Sequence, residues 1–318
     1  MAGFAALALV LVVISINLTG QCHAALQIGF YDRKCGLNNV ESIVTQEVTK
    51  KFIKDRTIAA ALIRMYFHDC FVKLSVRGYD VIDAAKDAVE AACPGVVSCA
   101  DIIAMATRDA VSLSRGGRYN VETGRRDGLE SLASNVVLPS PQMTVSQSVS
   151  VFAKKGFSPK DMVYLLGGHT VGFAHCVFFQ DRLYNFQNTG KPDPTMNSTL
   201  LQALRFMCPQ NSLRNNAVNL DQNPSSSFTV DNSFYKQILL NRGILQIDQE
   251  LALDSITKDI VKGIATSNDF ITKFAEAMVK LGRTEVLTDT QGEIRRSCRS
   301  VNNNNNNSNN SFLTKIFP

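Results

Sequence analysis

No stretch of this 318-residue chain concentrates Lys or Arg, charged residues make up only 19% of it, and its net charge is a mild +5. The dense basic patch that duplex binding needs is therefore missing, which argues against nucleic acid as a partner. None of the eight cysteines forms a C-x-x-C pair, so the commonest structural zinc arrangement is absent. Beyond the N-terminus, no run is long and apolar enough to cross a bilayer. Strand-like alternation is also scarce, whereas helical periodicity broken by Gly/Pro turns is frequent, so the fold is mainly α. Hydrophobic residues make up 45% of the chain, enough to bury a substantial core. Length alone allows one large domain or two small ones, but no repeat or linker divides the chain before its asparagine tract.

What is present begins with a targeting segment. Phe4 to Leu18 is almost wholly apolar, and Cys22-His23-Ala24 ends in a small residue suited to cleavage, so residues 1–24 read as a signal peptide. A membrane anchor is the competing reading, but the run is short for spanning and no basic flank follows it. The product is expected to be secreted, with no membrane association after signal removal. Residues 25–300 form the folded domain, and 301–318 an Asn-rich tail expected to be disordered. That tail ends in apolar residues and is a candidate sorting signal, with the vacuole as a possible address. Asn197-Ser198-Thr199 and two sites in the tail, at Asn306 and Asn309, are candidate glycosylation sequons.

Secretion also changes how the cysteines are read. Removal of Cys22 leaves seven, which an oxidising compartment should pair as disulfides. Seven is odd. One thiol must stay free, pair with another molecule, or have lost its partner.

Helices are legible in several places. Val40, Ile43, Val44, Val48 and Phe52 share one face. A second helix spans Ile58 to Val72, and Val81, Ile82, Ala85 and Val89 mark a third, stopped by Pro94-Gly95. Ser98 with Asp101 resembles a capping box that opens a helix to about Leu113. Ser158-Pro159 starts another, which should stop at Gly167-Gly168, immediately before His169. Further helical patterns cover Val171–Leu183, Thr199–Met207, Asn232–Leu240 and Thr257–Leu281.

Two histidines carry candidate chemistry. Arg64 and His68 are four apart and project from one helical face. A permanent cation beside a titratable imidazole suits the splitting of a peroxide O–O bond: the imidazole moves a proton and the guanidinium offsets charge on the departing oxygen. His169, at a glycine-bounded helix end, could approach a flat cofactor closely, and neutral imidazole is the common proximal ligand of haem iron. Taken alone, each reads first as a structural histidine. His175 has no supporting motif and reads as structural.

Six motifs occur in order. They are Phe67-His68-Asp69-Cys70-Phe71-Val72, Val97-Ser98-Cys99-Ala100-Asp101, Gly124-Arg125-Arg126-Asp127, Gly167-Gly168-His169-Thr170-Val171-Gly172, Val230-Asp231-Asn232-Ser233-Phe234-Tyr235 and Asp248-Gln249-Glu250-Leu251. Together they resemble the secretory (class III) plant haem peroxidases, from Leu26 to Val301. The resemblance implies an all-α haem-peroxidase fold, with haem b between a distal and a proximal helical lobe. Hydrogen peroxide would be the oxidant, small phenols the one-electron donors, the cell wall a location, and a monomer the expected state. By position, His68 resembles the distal acid–base, Arg64 its electrostatic partner, and Phe67 a cofactor neighbour. His169 resembles the axial iron ligand, and Asp248 the carboxylate that strengthens it as a donor. Leu138-Pro139-Ser140-Pro141 matches a segment near donor access, which makes Pro139 a candidate binding residue, although a rigid extended turn would look the same. Asp101 and Arg125 match a buried ion pair. The implied disulfides are Cys35–Cys93, Cys99–Cys298 and Cys176–Cys208, which leaves Cys70 free.

The chain departs from the family after Val72. There it runs through Lys73-Leu74-Ser75 directly into Val76-Arg77-Gly78, where the family inserts a loop. That loop supplies a cysteine partner, most distal calcium ligands and an asparagine that hydrogen-bonds the distal histidine. Its absence accounts for the odd Cys70. Asp69 and Val72 remain from the distal calcium site, but Ca²⁺ takes six to eight oxygens, so the site should be lost. His68, without its orienting partner, is expected to be a poorer base. A proximal calcium site is better preserved in Thr170, Asp221, Asp231, the Thr229 carbonyl and a hydroxyl from Ser225–Ser227. Tyr119 stands where the family has a tryptophan, which this chain lacks altogether; a packing change is expected. Two alternatives to an active peroxidase are an impaired, haem-binding paralogue and a zinc hydrolase using His68, Cys70, His169 and His175. The second lacks ligand spacing.

Overall fold

The computed structural model describes residues 26–71, 77–129, 139–210 and 216–302, apart from the side chains of residues 70 and 71. The signal peptide, Val72, the Cys70 thiol and the tail from residue 303 lie outside the described residues.

The first half is a cluster of four helices. Asn39 caps α1 (Val40–Lys54) by accepting from the Ser42 amide at 2.8 Å, and Val40, Val44, Val48 and Phe52 form its buried stripe. Next come α2 (Ile58–Phe71), α3 (Tyr79–Ala92) and α4 (Cys99–Leu113). The last packs against the other three and is buried on nearly every side. Ser98 caps it by accepting from the Asp101 amide at 3.1 Å. The Asp101 carboxylate does not close the expected box, because it turns inward. There it receives the Tyr31 hydroxyl at 2.6 Å, the Gly124 amide at 2.6 Å and Arg125 Nη1 at 2.8 Å. Arg125 also donates to the Gly282 carbonyl, so the pair joins the two halves of the chain. Removing one partner of such a buried pair costs about 3–5 kcal/mol.

The second half contains α5 (Val145–Ala153), α6 (Pro159–Leu166), α7 (Gln180–Tyr184), α8 (Ser198–Met207), α9 (Ser233–Leu239), α10 (Gln246–Leu253), α11 (Lys258–Thr266) and α12 (Phe270–Leu281). Ser158 and Asp161 form a complete capping box at α6, as expected. A 3₁₀ turn, Gly167–Thr170, follows and touches α2 of the first half. The all-α class holds, with one small exception: β1 (Phe173–His175) pairs antiparallel with β2 (Ala217–Asn219).

That exception corrects the helix expected over Val171–Leu183. Gly172 sits at φ +94°, and a Cβ there would lie 2.8 Å from that of Ala60 on α2. A left-handed backbone at this position cannot continue a helix. The chain therefore runs as a strand before α7. The single helix expected over Thr257–Leu281 is two. Asn232 Nδ2 donates to the carbonyls of Ile264 and Ser267 at 3.0 Å each, satisfying the end of α11 before α12 restarts. Helices α5 and α10 had no counterpart in the periodicity reading.

The disulfides are Cys35–Cys93, Cys99–Cys298 and Cys176–Cys208, the pairing the resemblance implied. Tyr119 is half-buried, and its hydroxyl is enclosed with no partner among the described residues.

Candidate active site

A cavity of about 710 Å³ lies between the two halves, and both Arg64–His68 and His169 line it. Its wall is largely apolar, with Phe67, Phe152, Leu165, Ile247, Met278 and Leu281 among the contributors.

From the first half, α2 presents Arg64 and His68 one turn apart. Arg64 Nε donates to His68 Nε2 at 3.2 Å, so Nε2 holds the lone pair and Nδ1 the proton. Yet His68 Nδ1 is buried with no partner among the described residues. This is the position at which the shortened connection was expected to remove a partner. Burial, reinforced by the Arg64 charge, lowers the His68 pKa to about 4. The imidazole is therefore neutral and able to accept a proton throughout the physiological range.

From the second half, α6 ends into the 3₁₀ turn that carries His169. Glycines let that turn lie close to its neighbours. A Cβ on Gly167 would collide with the Tyr235 hydroxyl, and one on Gly168 would sit 3.1 Å from Ile63 on α2. His169 Nδ1 donates to Asp248 Oδ1 at 2.8 Å. Burial opposes protonation of His169, but the Asp248 carboxylate outweighs it and raises the pKa. With Nδ1 committed, Nε2 is the nitrogen left for the cavity. The His169 side chain accordingly keeps 30% exposure although Asp248 keeps none.

Pro139, Ser140 and Pro141 line the same cavity. Two wall residues were missed. His175, read as structural, lines the cavity from β1 beside Phe173, their rings 5.9 Å apart. The helix assumed there concealed the strand alternation that puts both on one face. Arg77 also lines it, held by Asp55 and by Thr57 Oγ1.

A second polar group lies behind His169. Thr170 Oγ1 is 3.3 Å from both the Thr229 carbonyl and Asp231 Oδ1, while Asp221 accepts from Ser226 Oγ at 2.7 Å. Burial pushes the Asp221 carboxyl up, and Asp231 adds to the shift. Of Ser225–Ser227, Ser226 is the one bonded to Asp221, and Ser233 also donates its hydroxyl to Asp221 at 3.4 Å and its amide to Asp231 at 2.8 Å. Asp69 is exposed on α2. No cluster of three His, Cys, Asp or Glu suited to a metal occurs among the described residues, and the Cys70 thiol of the zinc reading lies outside them.

These residues suit a haem. Two imidazoles reach one apolar cavity from separate elements, one held by a carboxylate and the other beside a guanidinium. Comparison with known proteins agrees. The Peroxidase family profile matches residues 73–267. Peroxidase 60 of Arabidopsis thaliana is 51% identical over 305 residues, covering 89% of this chain and 92% of its own. Peroxidase 44 of the same plant is 47% identical, covering 88% and 94%, and Peroxidase 5 of Vitis vinifera 42%, covering 93% and 98%. A stretch of 89% of the chain necessarily includes α2, although the profile match begins beyond it. The chain belongs to the peroxidase family. Its activity is that of a haem peroxidase, and nothing in the comparisons favours an impaired paralogue. The 305 aligned positions also exceed what 89% of 318 residues supplies, so gaps open in this chain, in keeping with a lost loop.

Proposed function

We propose that this protein reduces hydrogen peroxide and oxidises small phenolic donors by one-electron steps, with haem b held by His169. When bound, haem supplies the redox centre that takes oxidising equivalents from peroxide and passes them on singly. His68 Nε2 takes the peroxide proton and returns it to the departing oxygen, whose charge Arg64 offsets. Asp248 holds His169 Nδ1–H, fixing the tautomer and strengthening Nε2 as a ligand. Phe67 and Pro139 line the same cavity, where they would pack beside the cofactor and meet the donor respectively. The observation that carries this reading is a single cavity lined by His68 and His169, with the His169–Asp248 bond behind it.

A calcium ion is proposed for Thr170, Asp221, Thr229 and Asp231 with Ser226, since two adjacent carboxylates and neutral oxygens suit a hard cation. Asp69 and Val72 contribute too few oxygens for a distal ion. The signal-like residues 1–24 support secretion, with the cell wall the location the family resemblance implies, and a monomer is the expected state. Among the described residues, no helix is long and apolar enough to cross a membrane.

Titration of the purified protein with haem, followed by a guaiacol-type assay, tests the reading. A Soret band that saturates at one equivalent, with peroxide-dependent dye formation, is the expected result. Absence of the band would refute it; a band without turnover would restore the impaired-paralogue reading.

A further inference from the structure

The Asp248 carboxylate is anchored only through Oδ1, because Oδ2 is buried with no partner among the described residues. Its aim at His169 therefore depends on where its helix sits. Helix α10 has no side-chain cap: Leu245 stands at the N-cap position and contributes no side-chain hydrogen bond. The backbone leading into it is held from elsewhere. Arg182 of α7 is 1% exposed, and its Nη1 donates to the carbonyls of Gly243, Ile244 and Leu245 at 2.7, 2.7 and 3.1 Å. Its Nε is paired with the buried Asp193 at 2.9 Å. A cation near a helix N-terminus opposes the helix dipole, so it is the three carbonyls and Asp193 that account for this placement. Gln249, next to Asp248, completes the clamp by accepting from the Gly243 amide and donating to the Ile238 carbonyl, both at 3.0 Å. A Cβ on Gly243 would lie 2.9 Å from the Gln249 amide, so the strap runs close against the helix.

We infer that Arg182, with Asp193, is a positioning residue for the peroxidase reaction: it sets the start of α10 and thereby the Asp248–His169 hydrogen bond that tunes the imidazole as a ligand. The inference rests on the reading of His169 as the iron ligand. Arg182 reaches the three carbonyls through Nη1 and Asp193 through a separate nitrogen, Nε; a lysine would have to serve both groups from a single point on a flexible stem, without the rigid geometry that holds them together.

The test uses the haem-loaded Arg182→Lys protein, with Gln249→Met, which loosens the same strap from the other side, in case the first fails to fold. Readouts are the ferrous iron–imidazole stretching frequency and the midpoint potential, with Asp248→Asn as reference. Both should move in the direction of Asp248→Asn and by less. Loss of haem affinity should stay below the roughly 10–100-fold typical of removing a direct partner. A lowered melting temperature with unchanged frequency and potential would make the clamp merely structural and overturn the inference. If wild-type protein bound no haem, the reading of His169 would fail instead. The clamp would then be judged from the His169 Nδ1 proton resonance of the haem-free protein: displaced in Arg182→Lys if it acts, unmoved if it does not.

Discussion

His68 and His169 line one cavity from opposite halves of the chain, yet their surroundings treat them differently. His169 gives its Nδ1 proton to Asp248, which is clamped in turn through α10; His68 has Arg64 on one nitrogen and nothing described on the other. Burial disfavours the charged form of both. Only His169 has a carboxylate to overcome it, so its pKa rises while that of His68 falls to about 4. What neighbours an imidazole, more than how deep it lies, decides its charge. The proximal side is a supported ligand, and the distal side a neutral base with one hydrogen bond missing.

That contrast can be broken from either side. Among changes to what supports the two imidazoles, the largest effect is expected from Asp248→Asn, which removes the partner of His169: haem affinity or turnover should fall about 10–100-fold. Retention of both would mean that the carboxylate is not needed. Restoring a family-length loop after Val72 should add the missing partner of His68 and speed the peroxide reaction by up to about 10-fold, the lower end of such partner effects. Equal rates with and without the loop would show that the unpaired Nδ1 has no kinetic consequence. Acidity separates the two histidines again. Because neutral His68 is the base, the peroxide rate should stay level down to mildly acidic pH and fall as pH drops through about 4; an acid limb near the ordinary histidine value would contradict the depressed pKa. Chelation of calcium should have the smallest effect, confined to the proximal side. A stability loss of about 1 kcal/mol lowers Tm by ~2–4 °C in a domain of 150–250 residues. Asp221→Asn should make the protein insensitive to the chelator, and an unchanged Tm in the original protein would argue against the ion.

Much of this was legible because it is local. The caps at Ser98 and Ser158, the stripe of Val40, Val44, Val48 and Phe52, and the Arg64–His68 spacing need no knowledge of the rest of the chain. The disulfides and the Asp248 partnership came only through resemblance, since no local pattern joins residues 79 positions apart. What stayed hidden was tertiary. The bend at Gly172 follows from the approach of Ala60, and the strand it permits puts His175 in the cavity wall. Arg182 falls within the helix expected over Val171–Leu183, and nothing local marks its three carbonyl partners, about sixty residues away.

The most direct measurement mixes haem-loaded protein with excess peroxide at neutral pH and compares it with His68→Ala. General acid–base catalysis contributes typically ~10²–10⁴-fold, so the second-order rate should fall by that order while the Soret band and haem content stay unchanged. Equal rates in the two proteins would mean that His68 moves no proton.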